Sequence, residues 1–123
     1  MSASKESFVP MAEYGRGALL ALGLAKKAGK LVCGTPLVCK KMSEKTPPAL
    51  VVISDHASQN TKKRLNDKAQ YYNVRTVVVD IPCEDISHAT GGKAETAAVA
   101  ICDSGIATLF LAKAENEIKR NEE

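Results

Sequence analysis

Three short apolar runs punctuate the chain: "LVVI" at Leu50–Ile53, "TVVV" at Thr76–Val79 and "AAVAI" at Ala97–Ile101. Each is continuous rather than alternating, the pattern of a strand covered on both faces. Val51, Val52, Val77, Val78 and Val99 are therefore expected in the core, and Leu31–Cys33 offers a fourth, short strand. Helical signals fill the intervals. Glu13–Ala28 is rich in Ala and Leu, with Leu19, Leu22 and Ala25 or Lys26 at helical spacing; Gly15, Gly17 and Gly23 weaken it or let it approach a neighbour closely. A second helix over Pro36–Lys45 stops before Pro47-Pro48. Ser58–Tyr72 is a third, with Ser58 as N-cap, and Pro82–Ala89 a short fourth with Glu84 and Asp85 in its first turn. The last runs from Ser104 to about Arg120, begun by Asp103 or Ser104.

Strands alternating with helices predict an α/β fold, a three-layer α/β/α sandwich around a small mixed sheet of about four strands. At 123 residues the chain is expected to form a single domain over residues 14–120, preceded by a flexible tail over residues 1–13. No apolar run approaches the roughly 18 to 20 residues that span a membrane, and the polar start "MSASKESFVP" lacks an apolar signal core, so a cytoplasmic location is expected.

Charge changes the picture more than composition does. Net charge is only +3, yet residues 14–75 hold twelve Lys or Arg against three acids (Glu44, Asp55, Asp67). Residues 76–123 hold four basic residues against nine acidic ones. That asymmetry points to a polyanion partner. The densest candidate is "AGKLVCGTPLVCKK", Ala28–Lys41. Gly34 permits the turn, Thr35 is a good N-cap, and Pro36 suits the first helical position. An ordinary helix start explains those three residues, but a helix N-terminus also presents unpaired N–H groups to an anion. Lys40, Lys41 and Lys45 follow it, Lys26, Lys27 and Lys30 precede it, and Lys62, Lys63 and Arg64 lie near the start of the third helix. The loop "HATGGK" is a further candidate: His88, Gly91 and Gly92 would form a mobile, close-approach connection.

Other chemistries fit poorly. "GGK" fails the P-loop pattern, since Ser87 stands where its first Gly belongs and Ala94 where Ser or Thr is required. Asp55, His56 and Ser58 are neighbours in sequence but are better explained as turn and cap residues than as a triad. No paired carboxylates sit at strand ends, so no catalytic residue, cofactor or small-molecule substrate is assigned. Of the few aromatic residues, Tyr71 and Tyr72 close the third helix and are expected to pack on the core. Few stacking platforms then remain for single-stranded bases, and a basic surface of this kind favours folded RNA read by shape and backbone.

The stretches "LLALGLAKKAGKLVCGTPLVCKKM", "VVISDHASQNTKKRLNDKAQYYNV" and "VAICDSGIATLFLAK" resemble the kink-turn RNA-binding ribosomal protein family, L-seven-Ae/L-thirty-e, above all its bacterial YlxQ-like branch. The likeness covers roughly residues 14–115 and implies the same α/β/α sandwich. The family's RNA-contacting motif is Gly, any residue, Asn, Glu, two residues, then Lys. Laid on this chain, Gly34 and Lys40 match it, with Thr35 at the free position, while Pro36 replaces Asn and Leu37 replaces Glu. The resemblance thus implies a structured-RNA partner, kink-turn-like or ribosomal, bound by a monomer that keeps the anion-binding frame and loses direct base readout. The rival expectation is a protein-interaction module that kept the fold and lost RNA binding, with Pro36 and Leu37 in an apolar contact patch.

Cys33, Cys39, Cys83 and Cys102 never form a C-x-x-C pair, and with His56 or His88 they match no zinc spacing, so they are expected as reduced, buried, small apolar residues. Denatured without reductant, the chain should titrate four thiols and carry no stoichiometric zinc; fewer thiols or bound metal would contradict this.

Overall fold

The computed structural model describes residues 16–92 and 96–114. The elements follow in the order α1 (Arg16–Lys27), β1 (Leu31–Cys33), α2 (Thr35–Met42), β2 (Leu50–Ser54), α3 (Gln59–Tyr72), β3 (Thr76–Val79), α4 (Cys83–Ala89), β4 (Ala98–Ile101) and α5 (Ser104–Lys113). The four strands form one mixed sheet in the order β1-β4-β2-β3. β4 runs antiparallel to both β1 and β2, and β2 is parallel to β3. The expected tail over residues 1–13, the start of the first helix and the last helix beyond Ala114 lie outside the described residues.

Strand alternation divides the core in two. Leu50, Val52, Val79, Val99 and Ile101 face α1, α4 and α5, where they meet Ala18, Ala21, Leu22, Ile86, Ala107 and Phe110. Val51, Ile53, Ala98 and Ala100 face α2 and α3, against Val38, Cys39, Met42, Leu65 and Ala69. Continuous apolar runs in β2 and β4 are thus what helices on both faces require. Val51, Val52 and Val99 are fully buried. Val77 and Val78 pack on opposite faces as expected but remain half-exposed, because among the described residues β3 is an edge strand with no neighbour on its far side. The cysteines are all free thiols; Cys39 is buried, whereas Cys33, Cys83 and Cys102 are only half-buried.

The inward stripe of α1 keeps the expected Leu22 and Ala25 and adds Ala18 and Ala21. Ala18, Ala21, Leu22 and Ala25 are buried, Leu19 is partly so, and Leu20 and Leu24 face outward. Close packing explains the choice of small residues. A Cβ added to Gly17 would meet the Lys113 side chain on α5 at 3.1 Å, and one on Gly23 would meet the Ala89 carbonyl of α4 at 3.4 Å.

Helix stops are local and specific. At the end of α1, Gly29 N–H bonds to the Lys26 carbonyl and Lys30 N–H to the Ala25 carbonyl, with Gly29 at φ 72°. This doubled bond pattern uses a left-handed residue to satisfy the last carbonyls of a helix. Asn73, at φ 58°, does the same for α3, where Val74 N–H reaches Ala69. The start of α3 is capped as expected, Ser58 Oγ accepting from Thr61 N–H at 3.2 Å, and Asp103 Oδ2 accepts from Ile106 N–H at 2.9 Å to start α5. α2 ends earlier than the prolines alone required, at Ser43, whose N–H and hydroxyl both bond to the Lys40 carbonyl.

Phe110 is the largest fully buried side chain. Phe110→Ala should lower the unfolding free energy by about 3–5 kcal/mol in a urea titration, through lost transfer energy and the cavity left behind. Its half-exposed neighbour Leu109, changed to Ala, should cost under about 1.5 kcal/mol. Equal effects would contradict the packing.

Candidate nucleic-acid interface

The left-handed turn at Gly29 sends the chain straight from α1 into β1, an edge strand of the sheet. Cys102 N–H donates to the Lys30 carbonyl at 2.8 Å, and Gly34 N–H donates to the Ala98 carbonyl at 2.9 Å. With Val32 opposite Ala100, residues 30, 32 and 34 turn their main-chain groups toward β4. Those of Leu31 and Cys33 therefore point to the open side, as antiparallel pairing dictates. Beside them runs a groove of about 370 Å³ lined by Lys26, Leu31–Cys33, Leu37, Lys40, Lys41 and Glu44.

Gly34, not Thr35, is the N-cap of α2. It sits at φ 95° and ψ 141°, and no side chain caps the helix. The expected register shifts by one residue: Thr35 is the first helical residue and Pro36 the second. Only a residue without a Cβ adopts this backbone cheaply, and it lets the chain leave the β4 pairing and enter the helix in one step. Val38 N–H takes the Gly34 carbonyl. Pro36 has no N–H, so Thr35 and Leu37 hold the open donors of the first turn. Leu37 is 56% exposed at the groove's edge.

Lysines follow α2 along the same groove. Lys40 is exposed; Lys41 is partly buried and paired with Glu44 at 3.2 Å. Burial pushes the Cys102 thiol up, opposed by the nearby charges of Lys41 and Lys30. The Cys102 side chain thereby marks one neighbourhood that Lys30 and Lys41 share. Lys26 continues into a second concavity with Leu20, Gly23, Leu24, Lys27, Ala89, Thr90 and Gly91. Through Gly92 the expected loop is first a helix stop. Gly91, at φ 74°, donates to the His88 carbonyl and Gly92 N–H to that of Ser87 at 2.9 Å. A Cβ on Gly92 would lie 2.9 Å from Ser87 Oγ. His88 is exposed in the last turn of α4, and residues 93–95 lie outside the described residues.

Two of the three α3 candidates have acidic partners. Lys62 Nζ bonds to both the carbonyl and Oδ1 of Asp55 at 3.1 Å. Lys63 pairs with Asp67 at 2.8 Å, and that hydrogen bond, with the carboxylate's charge, raises the ammonium pKa. Arg64 points into a different concavity, beside Tyr71. The sequence neighbours Asp55, His56 and Ser58 do not converge. His56 Nε2 lies 2.8 Å from Asp80, Asp55 holds Lys62, and Ser58 caps α3. The described residues hold no cluster of three or more His, Cys, Asp or Glu, and no helix among them is long and apolar enough to cross a membrane.

The model of the Ribosomal protein L7Ae/L30e/S12e/Gadd45 family matches residues 18–110. The chain belongs to this family. It is 34% identical over 90 residues to the RNA-binding protein YlxQ of Bacillus subtilis (strain 168), covering 73% of this chain and 87% of that protein. With YlxQ of Enterococcus faecium it shares 42% identity over 53 residues, 43% and 50% of the two chains. A solved protein of unknown function from Bacillus halodurans C superposes with a TM-score of 0.69 at 30% identity, over 80% of this chain and 96% of the other. The Giardia lamblia 15.5kD RNA binding protein gives 0.67 at 13% identity, over 95% and 97%, a likeness of fold alone.

Within this L7Ae-type fold Lys26 and Lys27, placed last in a helix that stops at Gly29, belong to the basic face as much as Lys30 does. The open backbone groups of Leu31 and Cys33 have no signal in side-chain chemistry at all. Gly34→Ala meets nothing within 4 Å, so its cost is backbone strain alone. It should destabilise the protein by about 1–3 kcal/mol in a urea titration. Thr35→Ala, which removes no capping bond, should cost less than Gly34→Ala; the reverse order would contradict the Gly34 cap.

Proposed function

We propose that this chain binds structured RNA at the start of α2 and along the lysine face beside β1, mainly through phosphates. The observation that supports this furthest is the gathering on one sheet edge of the open Thr35 and Leu37 N–H groups with Lys26, Lys30, Lys40 and Lys41. The names of the YlxQ relatives, RNA-binding proteins, agree with it. Phosphate contacts position a nucleic acid while base contacts specify sequence. With Pro36 and Leu37 in place of Asn and Glu, the side chains for reading paired bases are gone, and Pro36 removes one backbone donor as well. A kink-turn-like or ribosomal RNA is the class of partner, bound without catalysis by a cytoplasmic monomer. Gly91, which shares a concavity with Lys26 and Lys27, would bring its backbone to the same side, with His88 and Gly92 beside it in the chain. Lys62, Lys63 and Arg64 would contribute at longer range, the first two after exchanging acidic partners.

A protein-interaction module is the second reading, favoured by the exposed Leu20, Leu24 and Leu37. Salt separates the two, because phosphate-dominated binding weakens steeply with ionic strength. In filter-binding titrations at two salt concentrations, the protein should bind a kink-turn RNA and a control hairpin with similar affinity. Lys40→Ala should weaken both alike and flatten the salt slope by about one unit. Pro36→Asn with Leu37→Glu should create a kink-turn preference, since bidentate base contacts are worth roughly 1–3 kcal/mol each. A strong kink-turn preference in the unaltered protein would contradict the account of Pro36 and Leu37. No binding of either RNA at low salt would favour the interaction module.

A further inference from the structure

One exposed aromatic group has no role in either the core or the basic groove. Tyr71, expected against the core, is 80% exposed, whereas its neighbour Tyr72 is half-buried and packs on the α2/α3 side of the sheet. The two rings meet edge to face, centroids 4.8 Å apart and planes at 87°. In such a pair Tyr72 covers at most one face of Tyr71, so with the residue 80% exposed at least one face is open, and the contact steadies the ring. Arg64 and Lys68 stand seven and three residues before Tyr71, the spacing that aligns side chains along one face of a helix. Together with Asp67 and Tyr72 they line a concavity of about 520 Å³. Asp67 is already held by Lys63 at 2.8 Å, and neither Arg64 nor Lys68 forms an ion pair among the described residues.

An open, braced aromatic face beside two uncommitted cations is the pairing that takes one unpaired nucleotide: the ring stacks on the base, and the cations meet its phosphates. We propose that Tyr71, Arg64 and Lys68 form a stacking subsite for an unpaired nucleotide flanking the folded RNA. The inference rests on the RNA reading of the α2 site and extends it. α3 begins at the sheet end where Gly34 meets β4 and runs fourteen residues, so Tyr71 sits roughly 20 Å from that end. A single-stranded extension of several nucleotides from an RNA engaged at α2 spans that distance. The subsite therefore distinguishes RNAs by what flanks the structured element, a kind of selectivity that the loss of base readout at Pro36 and Leu37 leaves open.

The probes are one structured RNA made with and without a single-stranded tail, the tail carrying 2-aminopurine, titrated into the full chain. The tail should raise affinity about five- to a hundredfold, the usual worth of one stacked base, and its fluorescence should be quenched on binding. Tyr71→Ala should abolish both the increment and the quench while leaving the untailed RNA unaffected; Tyr71→Phe should retain both. Arg64→Ala with Lys68→Ala should reduce the increment. Equal affinity for tailed and untailed RNA, or a tail effect that survives Tyr71→Ala, overturns the subsite while the α2 reading stands and leaves the ring to a protein contact. Failure to bind either RNA at low salt overturns the α2 reading, and the subsite with it.

Discussion

The hydrogen bond from Gly34 N–H to the Ala98 carbonyl is the constraint on which the rest of the arrangement depends. It carries the pairing of β1 with β4 one residue past the strand, so that the next residue is already helical. Gly34 meets both demands only at φ 95°, which is why a residue without a side chain stands there. The same bond sets the start of α2 beside the start of β4, next to Ala97, whose carbonyl accepts from Ser54 N–H on the other side. The open N–H groups of α2 and the start of β4 are thus held together by the sheet itself.

At the other end of β1, Gly29 plays a matching part. Its left-handed conformation closes α1 and releases Lys30 into the strand, with the Lys30 carbonyl fixed by Cys102 N–H. β1 is only three residues long, yet it is bounded by two glycines that govern where the flanking helices point. Lys26 and Lys30 before it and Lys40 and Lys41 after it converge because of those two turns. Like charges gathered this way repel one another, and among the described residues only Lys41 has a carboxylate partner within the groove, Glu44. A bound polyanion relieves that repulsion, which gives the lysine face a physical reason to favour RNA.

Most of the fold was legible in residue patterns. The runs around Val51 and Val99 announced buried strands, that around Val78 a strand which the sheet edge leaves half-exposed, and Ser58, Asp103 and the prolines at 47 and 48 announced helix limits. What escaped the pattern depends on geometry that side-chain chemistry does not encode. Thr35 is the better capping residue by type, but Gly34 wins because the backbone there needs positive φ. The inward stripe of α1 follows the closeness of α4 and α5, which selects alanines over leucines. Lys62 and Lys63 looked like Lys40 in composition, and only their carboxylate partners distinguish them. Tyr71 and Tyr72 are neighbours of one type, but a helix turns about 100° between them, so one ring packs and the other faces solvent.

The central claim is that RNA meets this chain along α2 and the β1 edge. Amide chemical-shift mapping, with an isotopically labelled protein titrated by a structured RNA at low salt, tests it most directly. The account predicts the largest changes at Lys26–Cys33 and Thr35–Lys41, omitting Pro36, with smaller ones at Gly91 and Gly92. Changes confined to the α5 surface or to the β3 edge, with those segments unmoved, would contradict it.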